Sequence, residues 1–426
     1  MNCKMNRNMN CNIKERVFFT VIALLVVSQA FSYDFIVNGI AYNYDTSDQT
    51  AIVTMADEKY EGDIVIPDYV TYKGRTMKVK AIGESAFYYC DNLQNVTLPE
   101  TITYIDYNAF AGSGIKSIKL PESLKTIGSW AFCNSELQEV DFPNSLERIG
   151  SMSFSETKIK RLIVDGTKHP NGLVSLGTIK GVPLEYIYLN GVESSRIEST
   201  QNIKRVVLGP GTIKFLGANS EFDYPTIKGK IDELIIEDSE NPIDCEFFPT
   251  PRGGLCLNAK NVYWGRQFDY YNNHDGDWAK YTGGDSFYAP FLMGKRLKEL
   301  TIGKFVTDTY MNAYSGTFKD CDSLEIIRVN IGEPDKRGTL FSNTVYINAT
   351  LYVPIGSKEK YQNAEGWKNF WNIEEWDFVN DIKPICDESK REQCVYNLQG
   401  QKQIEKQKGF NIIKYNDGTT RKVFIK

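Results

Sequence analysis

The chain has 426 residues, 13% of them aromatic, and a formal net charge of −5 at pH 7. This aromatic content excludes a disordered chain, and the length allows one long repeat domain or two compact domains. The acidic balance, without a long basic run, argues against nucleic acid as a partner, because nucleic-acid binding depends on neutralising phosphates.

The first 32 residues are typical of an export signal. A basic start precedes the run Val17 to Val27, which is apolar except for Thr20, and small residues at Ala30 and Ser32 offer a cleavage site. A run of eleven residues is too short to span a bilayer. We therefore predict a signal peptide over 1–32 and an exported mature chain with no membrane-spanning segment.

A 22-residue unit repeats in register from Leu93 onward. Ile115 and Leu137 begin the second and third units, and Ile159 begins a fourth. A fixed period of about 20 to 29 residues is the signature of a solenoid, in which each repeat stacks on its neighbours to bury a shared core. Such chains usually bind partners along an extended face, so the repeat favours a binding protein over an enzyme.

Each unit opens with a short strand pattern. In the first unit Leu93 and Val96 are expected to point inward, Asn95 and Thr97 to point outward, and Pro99 to end the strand. The return path on the opposite side is predicted to be irregular. Later strands are predicted to begin at Leu184, Ile203, Ile231, Asn261, Leu297, Leu324 and Leu351.

The segment Ala86–Leu93 has the pattern Ala-Phe-x-x-Cys-x-x-Leu, followed by Val-x-Leu-Pro and Ile-Gly. This pattern resembles the BspA-like leucine-rich repeats of exported bacterial proteins of the Bacteroidota type. The resemblance implies a mainly β fold, namely a curved leucine-rich-repeat solenoid over 79–378 with one short parallel strand per repeat. It also implies a β-rich N-terminal cap over 33–78 and a closing unit at Leu351–Trp376.

The character of the chain changes after Phe378. Residues 379–394 are polar and are interpreted as a linker, and residues 395–426 predict short strands with turns at Gly400 and at 416–418. This C-terminal β-module looks like the small modules that mark cargo for export in Bacteroidota. A role in sorting and a plain terminal module both remain open.

Two cysteines of the repeats, Cys90 and Cys133, lie two repeats apart, which is too far for a disulfide. They are predicted to be small buried hydrophobic residues. Cys245 with Cys256, and Cys386 with Cys394, remain open as local pairs.

The sequence offers little support for catalysis. His169 and His274 lie in different regions, and no Gly-rich phosphate loop, Cys-x-x-Cys pair or nucleophile elbow is present. Residues 273–277 alternate oxygen ligands but lack the later glycine and glutamate of a calcium loop. We predict a protein without enzymatic activity, cofactor or metal.

The outward strand positions are the better candidates for a site, because tyrosine and arginine on a solvent-facing sheet have the composition of binding hot spots. An aromatic insertion over 265–291 is a second candidate. Two alternatives remain: inserted loops cover the sheet face and the tyrosines are ordinary packing, or the register slips by one residue and turns these side chains inward. The predicted ligand-binding residues are Tyr186, Tyr188, Arg205, Tyr263 and Tyr352 on strands, and Tyr271 and Trp278 in the insertion.

Together these features predict an exported cell-surface or secreted binding protein. Its resemblance implies adhesion, through recognition of host or neighbouring-cell proteins by the sheet face of the solenoid. The alternatives are a glycan-binding accessory protein of a polysaccharide-uptake system and a structural component of the cell surface.

Overall fold

The structure, a computed structural model, describes residues 33–169, 171–194, 196–215, 227–244, 258–269, 295–306, 318, 321–334 and 341–378, and the backbone of four strands beyond residue 391. The predicted signal peptide lies outside the described residues, as do the cysteine positions 245, 256 and 386. No helix in the described ranges is long and apolar enough to cross a membrane. One continuous core runs from Phe35 to Ile373.

The N-terminal cap covers one end of this core with antiparallel strands. Strands β1 (Phe35–Val37) and β2 (Ile40–Asp45) pair antiparallel, as do β2 and β3 (Thr50–Val53), and β3 then pairs parallel with β6 (Arg75–Ile82). The Phe35 ring stacks on Tyr42 at 5.4 Å and on Tyr72 at 4.8 Å, which seals the end of the core. The cap strands are β1 (Phe35–Val37), β2 (Ile40–Asp45), β3 (Thr50–Val53), β4 (Gly62–Val65), β5 (Tyr69–Tyr72) and β6 (Arg75–Ile82).

The first repeats form strands where the sequence predicts them. Ile118 and Val140 are buried between exposed neighbours, so the alternation of the sequence is the alternation of the strands. The elements of these repeats are β7 (Leu93–Thr97), β8 (Tyr104–Ile105), β9 (Ser117–Lys119), β10 (Thr126–Ile127), β11 (Glu139–Asp141), β12 (Arg148–Ile149) and β13 (Arg161–Asp165).

The return path differs from the prediction of an irregular segment. Strands β8, β10 and β12 pair parallel in register and belong to a 13-stranded sheet that begins in the cap. Each buries one isoleucine, and Ile105, Ile127 and Ile149 stack in one column. Pairing of these two residues in each rung gives hydrogen-bond partners to backbone N–H and C=O groups that would otherwise be buried without them. Each rung therefore contributes a strand to both faces.

Stacked turns close the third side of the first rungs. The rings of Phe87, Phe110, Phe132 and Phe154 are fully buried and stack with centroids 4.9, 5.1 and 5.2 Å apart. Backbone N–H groups at every second turn residue donate to the next rung, as from Phe110 to Ala131 O at 2.6 Å. Cys90 and Cys133 are buried and free in these turns, which confirms their predicted role.

Three successive rungs in the middle of the chain add a third strand on this side, and β15 (Ile179–Val182), β18 (Ile197–Ser199) and β21 (Ile227–Lys228) form a small parallel sheet. Next to them, Arg266 is fully buried and donates to four backbone carbonyl groups of neighbouring turns. The strands of this region are β14 (Val174–Leu176), β15 (Ile179–Val182), β16 (Tyr186–Asn190), β17 (Val192–Ser194), β18 (Ile197–Ser199), β19 (Ile203–Leu208), β20 (Ile213–Phe215), β21 (Ile227–Lys228), β22 (Ile231–Ile236), β23 (Ile243–Asp244), β24 (Ala259–Arg266) and β25 (Phe268–Asp269).

The last rungs end in a closing unit with two short helices. Its aromatic residues Tyr346, Trp367 and Phe370 pack edge-on against Phe341, which covers the C-terminal end of the core. Ser342 caps the first helix by accepting from Val345 N. The elements are β26 (Glu299–Phe305), β27 (Ile326–Val329), α1 (Asn343–Asn348), β28 (Thr350–Pro354), α2 (Lys358–Asn363), a 3-10 turn (Trp367–Asn369) and β29 (Asn372–Trp376).

A separate four-stranded antiparallel sheet is described beyond residue 391, in the order β31-β30-β32-β33. Its first strand begins at Glu392, within the region interpreted as a linker. The strands are β30 (Glu392–Tyr396), β31 (Lys402–Gln403), β32 (Gly409–Tyr415) and β33 (Thr420–Ile425). A role of this module in sorting stays a prediction.

Candidate binding surface

The nine-stranded parallel sheet runs from β13 to β29 in the order β13-β16-β19-β22-β24-β26-β27-β28-β29. In β16, Ile187 and Leu189 belong to the core, so Tyr186 and Tyr188, which alternate with them, face away from it. We call this side of the sheet the outer face. The predicted register is therefore correct, and the alternative of a one-residue slip is excluded for this strand.

In-register pairing brings the other strand residues of the predicted site to the same face. Arg205 lies beside Tyr186 on the next strand, Tyr263 lies beside Ile235, and Tyr352 lies beside Arg328. Tyr271 and Trp278 of the predicted insertion lie outside the described residues.

The first half of the outer face carries a small apolar cluster of its own. Tyr186, Val207 and Ile235 are only 4%, 2% and 8% exposed, and Tyr188 is partly buried against them. The Arg161 guanidinium lies 4.6 Å from the centre of the Tyr186 ring. Tyr186 therefore acts as ordinary packing, and its prediction as an exposed binding residue is wrong.

Arg205 and Tyr263 are engaged with acidic partners. Arg205 Nε donates to Glu233 Oε2 at 2.5 Å across neighbouring strands. The Tyr263 hydroxyl donates to Asp238 Oδ1 at 2.8 Å, and burial, with this bond, raises the pKa of Tyr263 well above its usual range. Both side chains are held in fixed positions at the margin of the apolar cluster.

A second group of side chains, which we call the C-terminal cluster, consists of Arg328, Tyr352 and Trp376. The Arg328 guanidinium lies 5.9 Å from the Tyr352 ring centre and 5.7 Å from that of Trp376, and these two rings meet edge-on at 5.1 Å. Arg328 Nη1 also donates to Glu299 Oε2 at 3.1 Å, which orients its plane. The Arg328 side chain is 23% exposed, and both rings are partly exposed.

Of these three residues, the sequence predicts Tyr352 as a binding residue but not Arg328 or Trp376. Arg328 lies between the buried residues Ile327 and Val329 of a predicted strand, so the apolar alternation at the end of that strand would have placed it on the outward side. Trp376 ends a strand inside the closing unit. The pairing of β28 with β29 puts it opposite Pro354, and from there its ring reaches that of Tyr352 diagonally.

No group of three or more metal-binding side chains occurs among the described residues. The geometry of the outer face is that of a contact surface: planar aromatic rings and a guanidinium, fixed by neighbours and open on one side. Such a surface can bind a partner through apolar contacts and bidentate hydrogen bonds without catalysing a reaction.

The fold and this surface define the class of protein as a parallel β-solenoid with a sheet face suited to recognition. Residues 74–169 match the model of the BspA type leucine rich repeat region in six copies, and the chain is a BspA-type leucine-rich repeat protein. Families of this kind are non-enzymatic. A comparison with curated proteins gives no match.

Several solved structures are similar to parts of the chain. A leucine-rich repeat protein from Bacteroides capillosus is 30% identical over 27% of this chain and 86% of its own, with a TM-score of 0.24. A leucine rich cell surface protein from Faecalibacterium prausnitzii is 16% identical over 80% and 94%, with a TM-score of 0.31. A leucine-rich repeat protein from Bacteroides ovatus is 17% identical over 81% and 100%, with a TM-score of 0.27. All three TM-scores lie below 0.5.

Proposed function

We propose that this protein is exported and binds an extracellular protein partner through the outer face of the nine-stranded sheet. The observation that carries this proposal is the C-terminal cluster, where Arg328 lies against Tyr352 and Trp376 and all three side chains are partly exposed. Trp, Tyr and Arg are the residues enriched in binding hot spots. Because neighbours already hold these side chains, a partner would order few groups on binding.

The two halves of the outer face have different roles in this proposal. The C-terminal cluster makes the direct contact, since its aromatic rings are accessible. The apolar cluster around Tyr186 and Val207 stiffens the sheet beside it, because those residues are already buried. Export rests on the sequence of residues 1–32, and the choice of a host or neighbouring-cell protein rests on the family resemblance.

Binding to a panel of purified extracellular matrix proteins by surface plasmon resonance tests the proposal. The double variant Tyr352→Ala/Trp376→Ala should weaken binding to the recognised protein about 1,000-fold, because two hot-spot residues of about 2 kcal/mol each together contribute about 4 kcal/mol. Trp371→Ala is the matched control, since Trp371 is 74% exposed in the same closing unit and belongs to neither cluster.

The control should bind like the unaltered protein, and circular dichroism should show all variants folded. A partner that binds the double variant with unchanged affinity would remove the C-terminal cluster from the binding site. Equal losses in the double variant and in Trp371→Ala would show a general effect on the closing unit.

A further inference from the structure

The Arg328 side chain of the C-terminal cluster leaves most of its hydrogen-bonding capacity unused. Its Nη1 donates to Glu299 Oε2 at 3.1 Å, whereas Nε is buried without a partner and Nη2 has none within the described ranges. Unlike Nε, Nη2 is open to solvent. A donor left unpaired on a charged group calls for an explanation, and an acceptor supplied by a binding partner would provide one.

Two hydroxyl groups lie in the same row of the outer face as Arg328. In-register pairing puts Thr301 of β26 and Tyr352 of β28 directly beside it, one on each side. Both side chains are partly exposed, and neither hydroxyl has a hydrogen-bond partner in the part of the chain that the structure describes. At the usual spacing between strands the row is roughly 10 Å long. Three neighbouring strands thus present free donor groups on one short stretch of the sheet.

The aromatic rings of the cluster already carry a cation. The Arg328 guanidinium lies 5.9 Å from the centre of the Tyr352 ring and 5.7 Å from that of Trp376. A lysine or arginine of a partner would approach a positive charge that is held on these rings, and like charges repel. The cluster therefore favours a partner that brings an acceptor over one that brings a cation.

Acidic neighbours limit how much negative charge this site accepts. Glu299 lies against Arg328, Glu374 follows Tyr352 in the row, and the two glutamate side chains are 42% and 60% exposed. Lys358 Nζ lies 3.7 Å from Glu374 Oε2, so two positive and two negative charges cancel around the cluster. This balance gives no field that would attract a polyanion. A single carboxylate, in contrast, gains a charge-assisted hydrogen bond from Nη2.

We propose that the protein partner places the carboxylate of one aspartate or glutamate side chain on Arg328 Nη2. The hydroxyl groups of Thr301 and Tyr352 are further donors to this carboxylate. Glu299 is a positioning residue, since it holds the guanidinium plane but also repels the incoming charge. This inference rests on the function proposed above and names the residue type that the outer face recognises.

Peptide selection on the full chain tests the inference without knowledge of the natural partner. Random phage-displayed peptides are selected on the unaltered protein and depleted on Tyr352→Ala/Trp376→Ala, so that the peptides that remain need the C-terminal cluster. These peptides should share an aspartate or glutamate. Replacing that residue by its amide should weaken binding to the unaltered protein about tenfold or more in fluorescence polarisation, because a charge-assisted hydrogen bond is lost.

Two variants distinguish direct contact from a structural effect. Arg328→Gln should bind the acidic peptide and its amide form with affinities within about twofold of each other, because the charged donor that tells them apart is gone. Glu299→Gln still accepts from Nη1 but no longer repels the carboxylate, so it should bind the acidic peptide about two- to fivefold more tightly. A damaged fold cannot produce this gain. Arg148→Gln, at an exposed arginine of the 13-stranded sheet, is the matched control and should bind like the unaltered protein.

The outcomes separate this inference from the proposed function. Peptides that need the C-terminal cluster but keep their affinity when the acidic residue becomes an amide would overturn the inference and leave the proposed function standing. Weaker binding by Glu299→Gln, selected peptides rich in lysine or arginine, or no cluster-dependent peptide at all would also overturn it. Acidic peptides that bind through Arg328, together with no binding to any matrix protein, would instead contradict only the proposed function.

Discussion

Tyr60 joins the N-terminal cap to the first rung. Its hydroxyl accepts from Ala41 N at 3.0 Å and donates to Thr54 O at 2.8 Å, and its ring lies 4.9 Å from that of Phe87. The side chain is 5% exposed, and burial raises the pKa of Tyr60 to about 12. In the unfolded chain the hydroxyl returns to its ordinary value of about 10.

The raised pKa of Tyr60 predicts a loss of stability in alkali. The folded state keeps the proton that the unfolded state releases above pH 10, so the free energy of unfolding should fall between pH 10 and 12. Tyr60 alone should lower the free energy of unfolding by up to about 1.4 kcal/mol per pH unit in this range. Tyr60→Phe should be less stable at pH 8, because two hydrogen bonds are lost, and should show a shallower alkaline slope.

Urea denaturation at pH 8, 10, 11 and 12, followed by circular dichroism, measures both effects. Tyr69→Phe, at an exposed cap position, serves as the control and should keep the slope of the unaltered protein. A slope unchanged by Tyr60→Phe would show that other groups cause the alkaline loss.

For single residues, the sequence predicts the side of the sheet but not the exposure of the side chain. A period of two places Tyr186 and Tyr352 on the same side of the sheet, and the structure confirms this. Whether a residue on that side is accessible depends on groups distant in sequence, and Tyr186 is buried although the strand pattern matches that of Tyr352. The partners of Tyr352 are likewise set by pairing between strands, so Trp376 could not be recognised from its own segment.

At the scale of elements, Arg266 holds together turns from three rungs. Its guanidinium donates to Gly209 O at 2.6 Å, Gly211 O at 3.0 Å, Pro210 O at 3.1 Å and Asn241 O at 3.2 Å. Burial lowers the pKa of Arg266 to about 10, which still leaves it charged at neutral pH. One side chain thus supplies the donors that the ends of these strands lack.

Arg266→Met should therefore lower the free energy of unfolding by about 3–5 kcal/mol, because four buried carbonyl groups lose a charged donor. The loss should be local. Hydrogen exchange followed by mass spectrometry should show faster exchange in β20 and β23, and unchanged exchange in β8, β10 and β12.

Arg296→Met is the matched control, since the Arg296 side chain is 33% exposed and donates to Asn258 O and Asp232 Oδ1. It should cost no more than about 1 kcal/mol. Equal effects of the two variants would contradict a special role of Arg266.

The elements also divide into those that the sequence predicts and those that it does not. Strands of six residues, such as Ile203–Leu208 and Ile231–Ile236, begin at the isoleucine from which the sequence predicts them and end with the last residue of an apolar run. The two-residue strand Tyr104–Ile105 is too short to show any period, so its pairing in the 13-stranded sheet was missed. Stacking creates this strand, since it forms only when the rungs on both sides lie in register.

At the scale of the whole molecule, the first rungs are interchangeable. The core positions of the rung that begins at Ile115 match those of the rung that begins at Leu137, and Phe110 and Phe154 stack in the same way on Phe132 between them. In a solenoid each repeat contacts only its neighbours, so stability is roughly a sum of repeat and interface contributions.

Deletion of residues 115–136, one complete rung, should therefore give a folded protein with reduced stability. Phe110 would then stack on Phe154, and the strand order of both sheets would be preserved. Deletion of residues 115–125 removes half a rung and should prevent folding of the first repeats, because it exchanges inward and outward positions. Far-ultraviolet circular dichroism and thermal melting distinguish the two variants, and similar losses in both would contradict interchangeable rungs.

The parallel pairing of the nine-stranded sheet sets the distance between its first strands and its last ones. Seven strand-to-strand steps separate β13 from β28, and at the usual spacing between strands they span roughly 35 Å. The N-terminal cap precedes β13 and Tyr352 lies on β28, so all of these steps separate the C-terminal cluster from the cap. The solenoid would then be a rigid spacer, which presents the proposed protein-binding surface at a distance from the N-terminal end of the fold.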